Sequence, residues 1–78
     1  MSYLNKKQLH EKGWIQNKLP YQFEKGINLL YVANGDDFEN IGANYQIVIL
    51  DRRFEETIFR GSIPTIEDFN YICKLLNI

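Results

Sequence analysis

Gly61-Ser62-Ile63-Pro64-Thr65-Ile66-Glu67-Asp68-Phe69-Asn70-Tyr71-Ile72-Cys73-Lys74-Leu75-Leu76-Asn77-Ile78 reads as a strand exit, a helix start and an amphipathic helix in direct succession. Gly61 and Pro64 interrupt a strand. The Thr65 hydroxyl is placed to accept the backbone N–H of Asp68, one of the donors that a helix start leaves unpaired. Glu67 and Asp68 then fall in the first turn, where the positive end of the helix dipole favours acids. Phe69, Ile72, Cys73 and Leu76 recur at i, i+3, i+4 and i+7, so they share one side of the helix, with Leu75 at its border and Asn70, Tyr71, Lys74 and Asn77 opposite.

The opening segment repeats this logic in shorter form. Asn5 and Gln8 have the spacing of a capping box, and Leu4 and Leu9 that of a hydrophobic staple. Gly13 stands where a left-handed residue ends a helix, which predicts a helix over residues 6–12, after which Trp14 and Ile15 return to the core. His10 is the sole histidine, and no second ligand type stands at metal spacing beside it.

Between the helices the period changes from 3.6 to 2. Tyr21 and Phe23 alternate with Gln22 and Glu24, Lys25-Gly26 supplies a turn, and residues 27–33 form the second strand of a hairpin. A second hairpin is expected from residues 45–50 and 54–60, with Asp51-Arg52-Arg53 as its turn. The expected fold is a single α+β domain over residues 1–78, in the order α-β-β-β-β-α. It is an antiparallel four-stranded meander with both helices on one face.

Composition narrows the function. The chain has 78 residues, of which 45% are hydrophobic and eleven are aromatic, enough for one folded core. No apolar run reaches the ~18 residues needed to span a bilayer, and the start has no signal-peptide h-region, so the expected location is cytoplasmic. Cys73 is the only cysteine and lies on the apolar helix stripe, where it reads as a small core residue. Residues 1–26 carry a net +3 and residues 27–78 a net −4. The lysines are scattered over a helix and a loop, not gathered as phosphate binding requires. No phosphate loop, nucleophile elbow, H-E-x-x-H or C-x-x-C occurs, so no catalytic, cofactor or metal residues are assigned and the chain reads as a non-enzyme.

The strands carry more apolar surface than one helix-covered face needs. Two-residue turns would put Tyr21, Phe23, Leu30 and Val32 on one side, with Ile27, Leu29 and Tyr31 on the other. The second hairpin splits into Tyr45, Ile47, Ile49 and Ile58 against Val48, Leu50 and Phe59. A half-solvated sheet usually alternates cleanly, so the expectation is that Leu29, Tyr31, Val48, Leu50 and Phe59 form a helix-free face closed by a second copy, in a homodimer, or by a partner protein. Residues 34–44 make a long connection in which two placements are open to Phe38 and Ile41. Either they tuck back as an omega loop, or they stand out as partner-binding anchors. The acids of this segment lack the order of an EF-hand loop.

Leu4-Asn5-x-x-Gln8-Leu9-x-x-x-Gly13-Trp14 near the start and Ile63-x-Thr65-Ile66-x-Asp68-Phe69-x-x-Ile72 near the end resemble small uncharacterised phage and prophage helix-sheet-helix proteins. The resemblance implies a mobile-element accessory protein that binds a host or viral protein. The leading expectation is therefore a small protein-interaction module that acts through a sheet face or the 34–44 loop. The alternative is a nucleic-acid-binding domain, since the element order approaches that of the double-stranded RNA-binding domain. Against it, Thr65-Ile66-Glu67-Asp68 has the wrong charge for phosphate.

Overall fold

The computed structural model describes residues 2–78. The elements are α1 (Lys6–Glu11), β1 (Ile15–Gln16), β2 (Gln22–Lys25), β3 (Asn28–Val32), a 3-10 turn (Ile41–Ala43), β4 (Ile47–Asp51), β5 (Glu56–Gly61) and α2 (Ile66–Leu76). The strands pair antiparallel in the order β1-β2-β3-β4-β5, a meander of five strands where the sequence predicted four. The added strand is the two-residue β1, which pairs Ile15 with Glu24 and Gln16 with Phe23. A strand of two residues has no measurable period of its own, and only its partner reveals it.

Both helix starts follow the side-chain chemistry expected of them. Gln8 N–H donates to Asn5 Oδ1 at 2.9 Å, and Asn5 N–H donates to Gln8 Oε1 at 3.2 Å, completing the capping box. Asp68 N–H donates to Thr65 Oγ1 at 3.3 Å, and the Thr65 hydroxyl donates to Asp68 Oδ2 at 2.8 Å. Gly13, with φ +93°, takes the left-handed position after α1. Leu9 from α1 and Phe69 from α2 join Trp14, Phe23, Leu30, Val32, Ile47, Ile49 and Ile63 in one buried cluster, so both helices cover the same face of the sheet. Trp14 meets Phe69 edge-on, with ring centroids 5.9 Å apart. Ile15 does not return to the core: it is 50% exposed, because the residue after Trp14 points to the opposite side of the sheet.

The two hairpins close differently. Lys25 pairs with Asn28, so the first turn is Gly26-Ile27, one residue later than expected. Gly26 has φ +58° and Ile27 does not have positive φ, the type II′ pattern with glycine first. The expected facing of β2 and β3 survives, because the register moved by an even step. In the second hairpin Asp51 pairs with Glu56, leaving four residues, 52–55, in the turn and placing Phe54 there instead of in the strand. Asp51 Oδ1 accepts from Arg53 N–H at 2.9 Å, which holds the start of this turn.

β5 also carries a bulge. Leu50 pairs with Thr57 and Ile49 with Phe59, so Ile58 is an extra residue opposite that step. Beyond the bulge the facing of β5 is reversed, and Phe59 sits on the helix-covered side, packed with Ile58 against the core. The expectation that Phe59 belongs to the helix-free face is corrected by this single inserted residue.

The 34–44 connection folds back. Ile41 is fully buried in the core cluster, and Phe38 packs against the same cluster with its ring 5.8 Å from that of Tyr21. A three-way backbone junction fixes the segment: Leu4 N–H donates to Pro64 C=O at 2.8 Å and Gly42 N–H donates to Leu4 C=O at 2.8 Å. A Cβ on Gly42 would collide with the Pro64 carbonyl and come within 2.6 Å of Leu4 N, so glycine is required by the close approach of three strands of chain.

Candidate interaction face

The face of the sheet turned away from the helices is built by cross-strand neighbours. Leu29 pairs with Glu24 and Leu50, and Leu50 with Thr57, giving one row. Tyr31 pairs with Gln22 and Val48, and Val48 with Arg60, giving the next. Side chains directly opposite one another share a face, so Leu29, Tyr31, Val48 and Leu50 form a square of four apolar groups flanked by polar residues.

The seven residues singled out from the sequence therefore separate into two sets. Leu29, Tyr31, Val48 and Leu50 come together on the open face. Ile41 is fully buried on the covered side, and Phe38 and Phe59, both half-buried, pack against the same core cluster instead of joining the open face. Within the square, Val48 is only 3% exposed and offers little surface, whereas Leu29, Tyr31 and Leu50 are half-buried. Their own sheet neighbours cover much of what water would otherwise reach.

Sequence reasoning missed the charged frame of this face. Arg52 leaves the β4–β5 turn to reach Glu24 on β2, with Nη1 donating to Oε2 at 3.1 Å, and its other nitrogen donates to the Gly26 carbonyl. A hollow of about 440 Å³ lies there, lined by Leu29, Leu50, Arg52 and Glu55. Arg60 stands at the other flank and makes no ion pair or side-chain hydrogen bond among the described residues. The alternation of Glu24 with Phe23 could have placed Glu24, but Arg60 lies beyond the bulge, and parity alone sends it to the wrong side.

Asp37 Oδ1 accepts from the backbone N–H groups of Glu39 and Asn40, both at 3.0 Å, and these bonds, with that from Asn40 first, hold its carboxyl below the usual range. Asn44 Nδ2 donates to the Asp37 carbonyl at 2.7 Å, tying the two ends of the loop. Burial pushes the Cys73 thiol up, against a smaller opposing pull from Lys25 and Lys12, which favours its protonated form. A second hollow, about 370 Å³, runs beside α1 between Lys6, Lys7, His10, Glu11, Trp14, Gln16 and Phe23. The Trp14 indole N–H is buried without an acceptor among the described residues. His10 makes no ion pair or side-chain hydrogen bond among the described residues. Among the described residues no group of three or more His, Cys, Asp or Glu could hold a metal ion, and no helix is long and apolar enough to cross a membrane.

No protein-family model, no curated protein and no solved structure matches this chain.

Proposed function

We propose that this protein is a non-enzymatic interaction module that docks a protein surface on the open face of its sheet. The observation that carries this reading is the square of Leu29, Tyr31, Val48 and Leu50, contiguous across two central strands with no helix packed over it. Ile15 and Ile27, 50% and 42% exposed, extend apolar surface beyond the square toward β1 and the first hairpin turn. A polar frame around an apolar centre is the anatomy of a docking patch. The resemblance of the two helices to those of phage proteins is consistent with an accessory role in a mobile element.

Nucleic acid fits less well. The open face has two arginines, one of them tied to Glu24, and α2 begins with Glu67 and Asp68. Phosphate binding asks for several free cations along one track.

Site-specific photocrosslinking in the native cell tests the proposal. A photoreactive residue at Thr57, exposed on the open face, is expected to capture a discrete protein adduct that Leu50→Lys abolishes. The same residue at Asn70, on the exposed side of α2, is expected to capture none. Equal labelling from both positions, or an adduct indifferent to Leu50→Lys, would sink the reading.

A further inference from the structure

We propose that the hollow beside α1 is a binding site for a small monocarboxylate with an apolar body, whose carboxylate accepts the indole N–H of Trp14. The hollow follows from two short elements. β1 is an edge strand of 2 residues and α1 a helix of 6 residues, and between them they leave the covered face open at this end of the sheet. Gln16 pairs with Phe23 and therefore shares its face, and Trp14 has the same parity as Gln16. Lys7, His10 and Glu11 of α1 help to enclose a space of about 370 Å³, a volume in the range of small-ligand sites.

The indole N–H is what points to a ligand. Trp14 is 0% exposed and lines the hollow, yet its Nε1 is the one buried side-chain nitrogen or oxygen without a hydrogen-bond partner among the described residues. Phe69, which the ring meets edge-on, offers no lone pair. Buried donors are ordinarily paired, because nothing else repays the lost bond to water, so an orphan donor beside a hollow marks the place of an acceptor. The surrounding side chains can make way for one. Lys7, His10, Glu11 and Gln16 are exposed, and none of them makes an ion pair or side-chain hydrogen bond among the described residues.

Charge selects the class of ligand. Lys6, Lys7 and His10 line the hollow with Glu11 as its sole acid, and Lys6 already holds Glu39 at 3.3 Å. Lys7 and His10 are thus the free donors for a carboxylate, while Glu11 opposes the second negative charge that a phosphate would bring. Phe23, the Trp14 ring and the lysine methylenes supply apolar wall for the rest of the molecule.

Titration with phenylacetate at neutral pH and constant ionic strength, followed by proton–nitrogen NMR of the labelled chain, is the test. Trp14 is the only tryptophan, so a single indole resonance reports the N–H directly. About ten non-hydrogen atoms in an open site imply a Kd on the order of millimolar, so the titration runs to about 50 mM. The indole resonance is expected to move downfield along a saturable curve. Phenylacetamide, which has the same shape and no charge, is expected to bind about tenfold more weakly. The double substitution Lys7→Gln and His10→Gln should weaken phenylacetate about tenfold, and Glu11→Gln should tighten it about threefold. All three positions are exposed, so these variants keep the fold, and an otherwise unchanged spectrum checks it. An indole resonance that stays fixed throughout overturns the proposal. So does one that phenylacetamide or inorganic phosphate moves as readily as phenylacetate, or a curve indifferent to Lys7 and His10.

Discussion

The two faces of one sheet differ in how their apolar residues are covered. On the helix side Phe23, Leu30, Ile47 and Ile49 are sealed by side chains from both ends of the chain, so each depends on groups distant in sequence. On the open side Leu29, Tyr31, Val48 and Leu50 are shielded only by their neighbours in the sheet and by polar residues such as Arg60 and Gln22. The covered face holds the buried apolar cluster, and on the function proposed above the open face is the one left to meet a partner.

The largest expected effect breaks the covered face. Phe69→Ala removes a 1% exposed ring that touches Trp14, which should cost about 3–5 kcal/mol. Against the roughly 4–12 kcal/mol available to a domain of this length, the variant should lose from about a quarter to all of its stability. Urea titration read by the emission of Trp14, the only tryptophan, measures it. Deleting Ile58 comes next. Without the bulge, either Phe59 leaves the covered face or Thr57 enters it, and exposing the Phe59 side chain should cost about 2–3 kcal/mol. An unchanged urea midpoint would mean that β5 does not depend on its extra residue.

The open face should respond far less. Leu50→Ala trims a half-buried side chain and should cost about 1 kcal/mol or less in the same titration, while the proposed docking, read by the Thr57 crosslink, should be lost. A loss as large as that of Phe69→Ala would erase the distinction between the faces. The smallest effect concerns the tether of Phe38 and Ile41. Asp37 is held below the usual carboxylate range by its bonds from Asn40 and Glu39, so its ionised form is favoured in the folded chain. Its contribution is fully present above about pH 4, where the unfolded chain would ionise too, and disappears as pH falls through the lower folded value. Asp37→Asn should therefore differ from wild type at neutral pH and converge with it in acid, as thermal melts at several pH values would record.

Much of this arrangement is legible in the residue order alone. Thr65, Asn5, Gln8 and Gly13 act on backbone groups three or four residues away, and local chemistry of that kind is written locally. The apolar stripe of α2 and the parity of β2 and β3 were equally readable, because period reports facing. The miss at Phe59 has the opposite character. A bulge is a mismatch between two strands, and nothing in residues 54–60 alone announces it. Ile41 stayed ambiguous for a related reason: a hydrophobe in a polar loop has no period, and its burial is decided by Leu4 and Pro64, far away in the chain.

Residue order by itself thus determined where the helices start, which side of each is apolar, and that the strands carry apolar groups on both parities. The tertiary structure decided that a fifth strand forms at Ile15, that Ile41 enters the core with Phe38 and Phe59 packed against it, and that Arg52 and Arg60 frame the open face. Capping and periodicity are interactions within a turn or two of chain, whereas register, bulges and loop burial depend on which distant backbone lies alongside.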